Sequence, residues 1–183
     1  PPGAGKGTQS KFIESKFKLY QLSTGDLLRQ EIKNKTKLGS EISSIINSGE
    51  LVSDKIVSNL IEKFISNDTF KNKIIFDGYP RTLIQAMNLD DVLKKYEQKI
   101  DIVLKLSVSL ETVKKRILQR QTQENRADDN EEIAIKRYKT YEKSSESVLD
   151  YYKQSNLLKV VNGETGISEI NSEISGLIDT IKG

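Results

Sequence analysis

Short apolar segments alternate with helix-like segments along almost all of this 183-residue chain. Four segments have the apolar composition of buried strands: residues 19–22, 74–76, 102–106 and 157–161. Helical spacing of apolar residues separates them, over residues 6–16, 26–35, 55–66, 82–96, 110–120, 130–154 and 167–181. Such alternation is typical of a parallel sheet covered by helices on both faces. The sequence therefore predicts a single α/β domain.

Two stretches do not fit this alternation. Residues 23–52 hold more helical material than a crossover connection needs, and residues 121–125 (QTQEN) form a polar break between two helices. Both resemble inserts over a sheet edge, where lids that cover binding sites tend to lie.

Composition excludes several chemistries. The chain has no His and no Cys, so it cannot build a Ser-His-Asp or Cys-His nucleophile, a zinc finger or a disulfide. Phosphoryl transfer needs none of these. No apolar run approaches the roughly eighteen residues of a membrane span, and the net charge of +3 is mixed along the chain. We therefore expect a cytoplasmic protein that binds neither membrane nor nucleic acid.

Arginine is scarce, because only six of the 29 basic residues are Arg. A chain that uses Lys for most positive charges keeps Arg for tasks that need a forked contact to phosphate or carboxylate. Ordinary surface charge is the alternative at this point. The six positions are Arg29, Arg81, Arg116, Arg120, Arg126 and Arg137.

The chain opens with PPGAGKGTQ. Residues 3–8 would supply main-chain N–H groups in a tight turn that leads into a helix N-terminus, which favours an anion. Lys6 would reach the β- and γ-phosphates of a nucleotide, and Thr8 would lie toward magnesium. The pattern G-x-x-x-x-G-K-[ST] is incomplete here, because its first glycine would precede Pro1. Gly7 also follows Lys6, so Thr8, the residue with the hydroxyl, comes one position later than in the pattern. A glycine-rich surface turn is the alternative.

Two further motifs follow strand-like segments. In IIFDGYPR, Asp77 ends an apolar segment, where it could hold magnesium-bound water beside the loop, although Asp-Gly is also a common turn. In LSTGDLLR, Asp26 is predicted to cap a helix, and Arg29 emerges one turn later. A plain helix start would explain Asp26 but not Arg29.

The remaining arginines surround the polar break. Arg116 and Arg120 share a helix face, Arg126 precedes an acidic helix start, and Arg137 follows about three turns later. This arrangement could bring four forked cations to one side of a hinge, which suits a transferring phosphoryl group. A solvated pair of charged helices is the alternative.

Five motifs in order resemble adenylate kinase along almost the whole chain: PPGAGKGTQ, LSTGDLLR, DGYPRTLIQA, KKRILQR and NRADDNEEIAIKRY. The resemblance implies a P-loop kinase fold in which Mg-ATP and AMP are converted reversibly to two ADP. It implies a core of residues 1–22, 53–118 and 130–183, an AMP-binding flap at 23–52 and a short lid at 119–129. It also favours a monomer whose partners are ATP, AMP and ADP.

The resemblance also implies roles for individual residues. Those that would contact ATP are Gly3, Ala4, Gly5, Lys6, Gly7, Thr8, Arg116, Arg120 and Thr165. Those that would contact AMP are Thr24, Arg29, Glu50, Leu51, Val52, Gly78, Tyr79, Pro80, Arg81, Gln85, Arg126 and Arg137. Catalysis would rest on Lys6, Arg81, Arg120, Arg126 and Arg137, while Thr8 and Asp77 would serve Mg²⁺. Zinc is not expected, because the lid is short and the chain lacks Cys.

In this family a short apolar strand precedes the phosphate loop at the centre of the sheet. We therefore expect the natural protein to begin a few residues before Pro1. Removing a central parallel strand leaves two rows of main-chain groups unpaired. A version with that strand restored should accordingly melt at a higher temperature than the printed chain.

The alternative within the same class is a UMP or CMP kinase. Those relatives tend to carry Ala at the position of Thr24 and Asn at that of Thr82, so Thr24, Thr82 and Gln85 favour adenine. From other classes, a nucleotide-binding regulator would not need convergent arginines, and a nucleic-acid binder should carry exposed aromatics along a basic stripe.

We predict that AMP is the preferred phosphoryl acceptor. A site built to hydrogen-bond one base leaves polar groups unpaired when another base binds, so AMP should exceed UMP, CMP and GMP in kcat/KM with Mg-ATP as donor. A preference for UMP or CMP would contradict the assignment to adenine.

Overall fold

The structure is a computed structural model that describes residues 1–124 and 130–182. Eight helices lie in this part: α1 Lys6–Phe17, α2 Thr24–Lys33, α3 Lys37–Asn47, α4 Asp54–Ile65, α5 Leu83–Lys95, α6 Leu110–Glu124, α7 Glu131–Gln154 and α8 Ile167–Lys182. The strands are β1 Tyr20–Ser23, β2 Ile74–Asp77, β3 Val103–Ser107 and β4 Leu158–Asn162, with a short 3₁₀ turn at Asp68–Phe70. Among these described helices, none combines the length and the apolarity needed to cross a membrane.

All four described strands pair in parallel, as predicted. β1 pairs with β2, in register from Tyr20 opposite Ile74 to Ser23 opposite Asp77, and β3 pairs with β4. The expectation of a single sheet differs from the structure, where these strands form two sheets of two strands each. Residues of both β2 and β3 line one cleft of about 510 Å³. None of the described strands connects the two sheets across this cleft.

Helices cover both faces of the strands, which confirms the predicted layering. Because side chains alternate along a strand, Ile75 and Leu104 pack into one core with residues of α1, α6 and α8. Ile74 and Phe76 pack into a second core with residues of α2 to α5. A smaller cluster joins Tyr152 of α7 to the start of β3. The carboxyl ends of the strands are thereby held between two packed layers.

Residues 23–52 contain two helices, α2 and α3. The predicted cap of α2 was wrong, because the Asp26 N–H donates to Ser23 Oγ at 3.3 Å and Ser23 is the N-cap. Thr36 caps α3 in the same way through the Gly39 N–H. Ser is about as effective as Asp in this role, so the motif alone did not identify the capping residue of α2.

The predicted polar break after Arg120 was also wrong over most of its length. Helix α6 continues through Glu124, and Asn125 lies outside the described residues. Gln and Glu are good helix formers, so polarity at residues 121–124 did not signal the end of the helix.

We predict that Gly39→Ala destabilises the protein while Gly176→Ala does not. A Cβ at Gly39 would lie 2.1 Å from the Glu31 carbonyl oxygen, so α2 and α3 would have to move apart, whereas a Cβ at Gly176 in α8 would meet nothing within 4 Å. Overpacking of this kind costs about 1–3 kcal/mol or more, and Ala in an open helical position stabilises by about 0.5–1 kcal/mol. Urea unfolding of both variants measures the difference, and equal stabilities would contradict the prediction.

Candidate active site

The loop at residues 1–5 bends sharply into helix α1. Gly3 and Gly5 have φ values of +70° and +93°, a left-handed region that glycine adopts without strain. A side chain at Gly3 would also approach Ile117 of α6 to 3.1 Å. Gly5 is the N-cap of α1 and offers no side chain to the first N–H groups of the helix. These donors are therefore suited to an anion.

Asp77 lies beside this loop, as predicted. It ends β2 opposite Ser23, the last residue of β1. A Cβ on Gly7 would be 3.9 Å from Asp77 Oδ2, so the carboxylate adjoins the first turn of α1. Gln21 Nε2 donates to the same oxygen at 2.8 Å, which orients the carboxylate. Thr8 lies exposed in the same turn of α1.

The turn after β2 gathers several predicted residues. The Gly78 carbonyl accepts from Thr24 Oγ1 at 3.1 Å and from Arg81 Nε at 2.6 Å. Gly78 has φ +75°, and a Cβ there would lie 2.9 Å from Arg81 Nη2. Tyr79 is buried and its peptide bond to Pro80 is cis. A glycine is thus required where the arginine folds back over the turn.

Gln85 is buried and connects this turn to α4. Its Oε1 accepts from the Arg81 N–H at 2.7 Å, and its Nε2 donates to Asp54 Oδ1 at 2.8 Å. Thr82 Oγ1 donates to the same carboxylate oxygen at 3.0 Å. The sequence reasoning missed Asp54, although Ser-Asp before an apolar helical pattern was an available signal.

The segment 23–52 also contacts α7. Lys136 Nζ lies 3.0 Å from Glu50 Oε1, and a Cβ on Gly49 would be 3.0 Å from Arg137 Cγ. Leu51 and the buried Val52 follow and line the same cleft as Arg137. The predicted flap is therefore in contact with the helix that carries one of the predicted catalytic arginines.

Arg29 extends from α2 toward the cleft. It pairs with Asp26 at 2.5 Å and lies over Gly25, where a Cβ would be 3.0 Å from its Nη2. The pair is partly exposed to solvent. The cleft is also lined by Lys6 and Arg81, so Arg29 joins them there.

Arg116 connects two loops. Its Nη1 donates to the Ala4 carbonyl at 3.1 Å and its Nη2 to the Gly163 carbonyl at 2.8 Å. It thereby joins the phosphate-binding loop to the loop after β4, where Thr165 Oγ1 donates to the Asn162 carbonyl at 3.3 Å. The structure brings Arg116 and Thr165 to this second region, while Arg126 lies outside the described residues.

Cations converge on Lys6. The pKa of Lys6 is lowered to about 8, chiefly by burial and also by the charges of Arg81, Arg137 and Arg120, against the opposing effect of Asp77. The pKa of Arg81 is lowered to about 10, because the cleft walls desolvate it and Arg137 lies close, with Asp77 again opposing. Among the described residues, four cations therefore share this region with the carboxylate of Asp77. Together with the loop, they define a P-loop protein that binds nucleotide phosphates.

Comparison with known proteins narrows this class. The model of the adenylate kinase family matches residues 1–157. The chain is 38% identical over 204 aligned positions to an adenylate kinase of Pelagibacter ubique (97% of this chain, 96% of the relative). It is 40% identical over 174 positions to one of Leptospira biflexa (95% and 94%). It is also 42% identical over 175 positions to one of Prochlorococcus marinus (95% and 92%). The chain belongs to the adenylate kinase family.

We predict that Lys6 titrates near pH 8 in the nucleotide-free protein. Its ordinary pKa is 10.5, and because folding lowers this value, the charged form destabilises the free protein most below pH 8. The destabilisation disappears as the pH rises toward 10.5. A bound polyphosphate should raise the pKa again, since an anion favours the ammonium form.

The ¹³Cε resonance of Lys6, assigned by its loss in Lys6→Arg, measures this pKa with and without ADP. A midpoint near 10.5 in the free protein would contradict the prediction.

Proposed function

We infer that this chain is an adenylate kinase, an ATP:AMP phosphotransferase that converts Mg-ATP and AMP reversibly to two ADP. The observation that carries the inference is that Lys6, Arg81 and Arg137 line one cleft beside the phosphate loop, with Arg120 close enough to affect the Lys6 pKa. Phosphoryl transfer needs little covalent chemistry from the protein, because positioning and charge stabilisation supply most of the rate. A chain without His can perform it.

ATP binds at the loop and at α6 in this proposal. The main-chain N–H groups of residues 3–8 hold the phosphates, and Lys6 stays with the charge as it moves. Arg120 contacts the phosphates from α6. Arg116 and the main chain at Thr165 hold the adenosine end. The hydrogen bonds of Arg116 to both loops support this arrangement.

AMP binds in the cleft between α2, the segment 50–52 and the turn 78–81. In this proposal Thr24 and Gln85 recognise the base, while Arg29 and Arg81 hold the phosphate. Arg29 exchanges Asp26 for that phosphate at small cost, because a partly exposed ion pair contributes about 0–1 kcal/mol. The lining of one cleft by Arg29, Arg81 and residues 50–52 supports this site.

Transfer needs no general base, because an oxygen of the AMP phosphate is already anionic near neutral pH. Lys6, Arg81, Arg120, Arg126 and Arg137 neutralise the charge that spreads over the transferring group. Arg126 and Arg137 bridge the two nucleotides. Closure of the flap (23–52) and the lid (119–129) over the core expels water and limits hydrolysis.

The described donor set suits Mg²⁺ that arrives with ATP. Within the described residues, no group of three or more acidic side chains gathers as a metal cage. One carboxylate, Asp77, adjoins the loop, and the Thr8 hydroxyl is exposed in the same helical turn. Mg²⁺ keeps several waters and binds through one or two carboxylates plus substrate phosphates. Thr8 and Asp77 would hold the ion directly or through its waters, and the ion would neutralise phosphate charge.

The protein acts as a cytoplasmic monomer without zinc, a nucleic-acid partner or a membrane partner. A modest net charge of +3 with both signs interspersed supports the absence of a nucleic-acid partner.

We predict that Arg81→Lys lowers kcat for ADP formation by about a hundredfold or more, the range found when one transition-state donor is removed. Lysine keeps the charge but loses the fork that reaches both Gly78 O and the phosphate. The matched control is Lys94→Arg, an exposed position on α5, which should keep the original rate.

A coupled assay of ADP formation from Mg-ATP and AMP measures both variants. Undiminished activity in Arg81→Lys would show that the forked contact is dispensable. Absence of ADP formation by the unaltered protein would overturn the proposed function itself.

A further inference from the structure

The Glu164 carboxylate joins the loop after β4 to the start of α6. Its Oε1 accepts from the Ser109 N–H at 2.6 Å, and its Oε2 accepts from Thr112 Oγ1 at 2.6 Å. Ser109 Oγ in turn accepts from the Thr112 N–H at 3.2 Å. These bonds hold the pKa of Glu164 below its usual range, first through Thr112 and then through Ser109. The carboxylate is therefore ionised near neutral pH and accepts from both donors at once.

The adjacent residue carries a second connection between the same two elements. Arg116, two turns into α6, donates to the Gly163 carbonyl at 2.8 Å, and Gly163 N–H donates to the Ser107 carbonyl at 2.8 Å. A Cβ on Gly163 would lie 2.6 Å from Val108 Cγ1, so the loop packs closely on the end of β3. Two consecutive loop residues thus bind α6: Glu164 binds its first turn, and Gly163 binds Arg116 about two turns into the helix.

We propose that Glu164 is a positioning residue for the adenosine end of ATP. By holding residues 162–166 against the first turn of α6, it keeps the main chain at Thr165 and the Arg116 guanidinium at a fixed separation. This inference rests on the proposed function, because it takes that region as the site of the donor adenine. The sequence reasoning assigned no role to Glu164, Ser109 or Thr112.

A contact that serves only stability predicts a different result. The bonds of Glu164 are exposed to solvent, and its position is separated along the chain from the residues proposed for AMP. A positioning role therefore predicts a selective loss of ATP binding. The binding of AMP, and of a polyphosphate that lacks adenosine, would be unaffected. A structural role predicts lower thermal stability or an equal loss for all ligands.

The test measures equilibrium dissociation constants for Mg-ATP, AMP and Mg-tripolyphosphate by calorimetry, for the unaltered protein and three variants. Glu164→Ala and Thr112→Val should each raise Kd for Mg-ATP about five- to tenfold, as expected for loss of a charge-assisted hydrogen bond. Kd for AMP and for tripolyphosphate, which lacks adenosine, should change less than about twofold. Thr112→Ser keeps the hydroxyl and should bind like the unaltered protein.

Unchanged Kd for Mg-ATP in both Glu164→Ala and Thr112→Val would overturn the proposal, and so would an equal increase for tripolyphosphate. If Glu164→Ala fails to fold, Thr112→Val and Thr112→Ser decide the question. Failure of the proposed function is distinguished separately, because it appears as absent ADP formation by the unaltered protein.

Discussion

Mutual repulsion among cations is the constraint that shapes this site. Lys6 lies near Arg81, Arg137 and Arg120, and among the described residues Asp77 opposes their effect on the Lys6 pKa. Like charges at short range destabilise the nucleotide-free protein, and the bound phosphates reverse that effect. The surrounding structure must therefore hold the cations in place without neutralising them.

Main-chain carbonyl oxygens perform much of this positioning. In the described part of the chain, Lys6 donates to Pro1 O, Arg81 to Gly78 O, and Arg116 to Ala4 O and Gly163 O. A carbonyl orients a cation through its dipole but carries no net charge, so the full positive charge remains available to an anion. Arg29 is held differently, by the carboxylate of Asp26.

Motifs along the chain indicated candidate site residues but not the contacts that these residues make. Lys6 and Asp77 were found because each lies at a fixed offset from a glycine or from a strand end, and parallel strands place those ends together. The cap of α2 was misassigned because Ser23 and Asp26 are both good caps. Gln85 was expected to contact a nucleotide, yet its amide also connects Arg81 to Asp54, which lies 31 residues from Gln85 along the chain. The role of Glu164 depends on residues more than 50 positions distant.

The sequence alone determined the alternating α/β order, the phosphate loop, the scarcity of arginine and the absence of His and Cys. These follow from local patterns: side-chain periodicity, glycine at turns and the chemistry that each residue type permits. The tertiary structure alone decided that β2 and β3 both line one cleft, that α6 extends to Glu124, and that Arg116 connects two loops. Such features depend on which distant segments pack together, because hydrogen bonds and electrostatic effects act through space rather than along the chain.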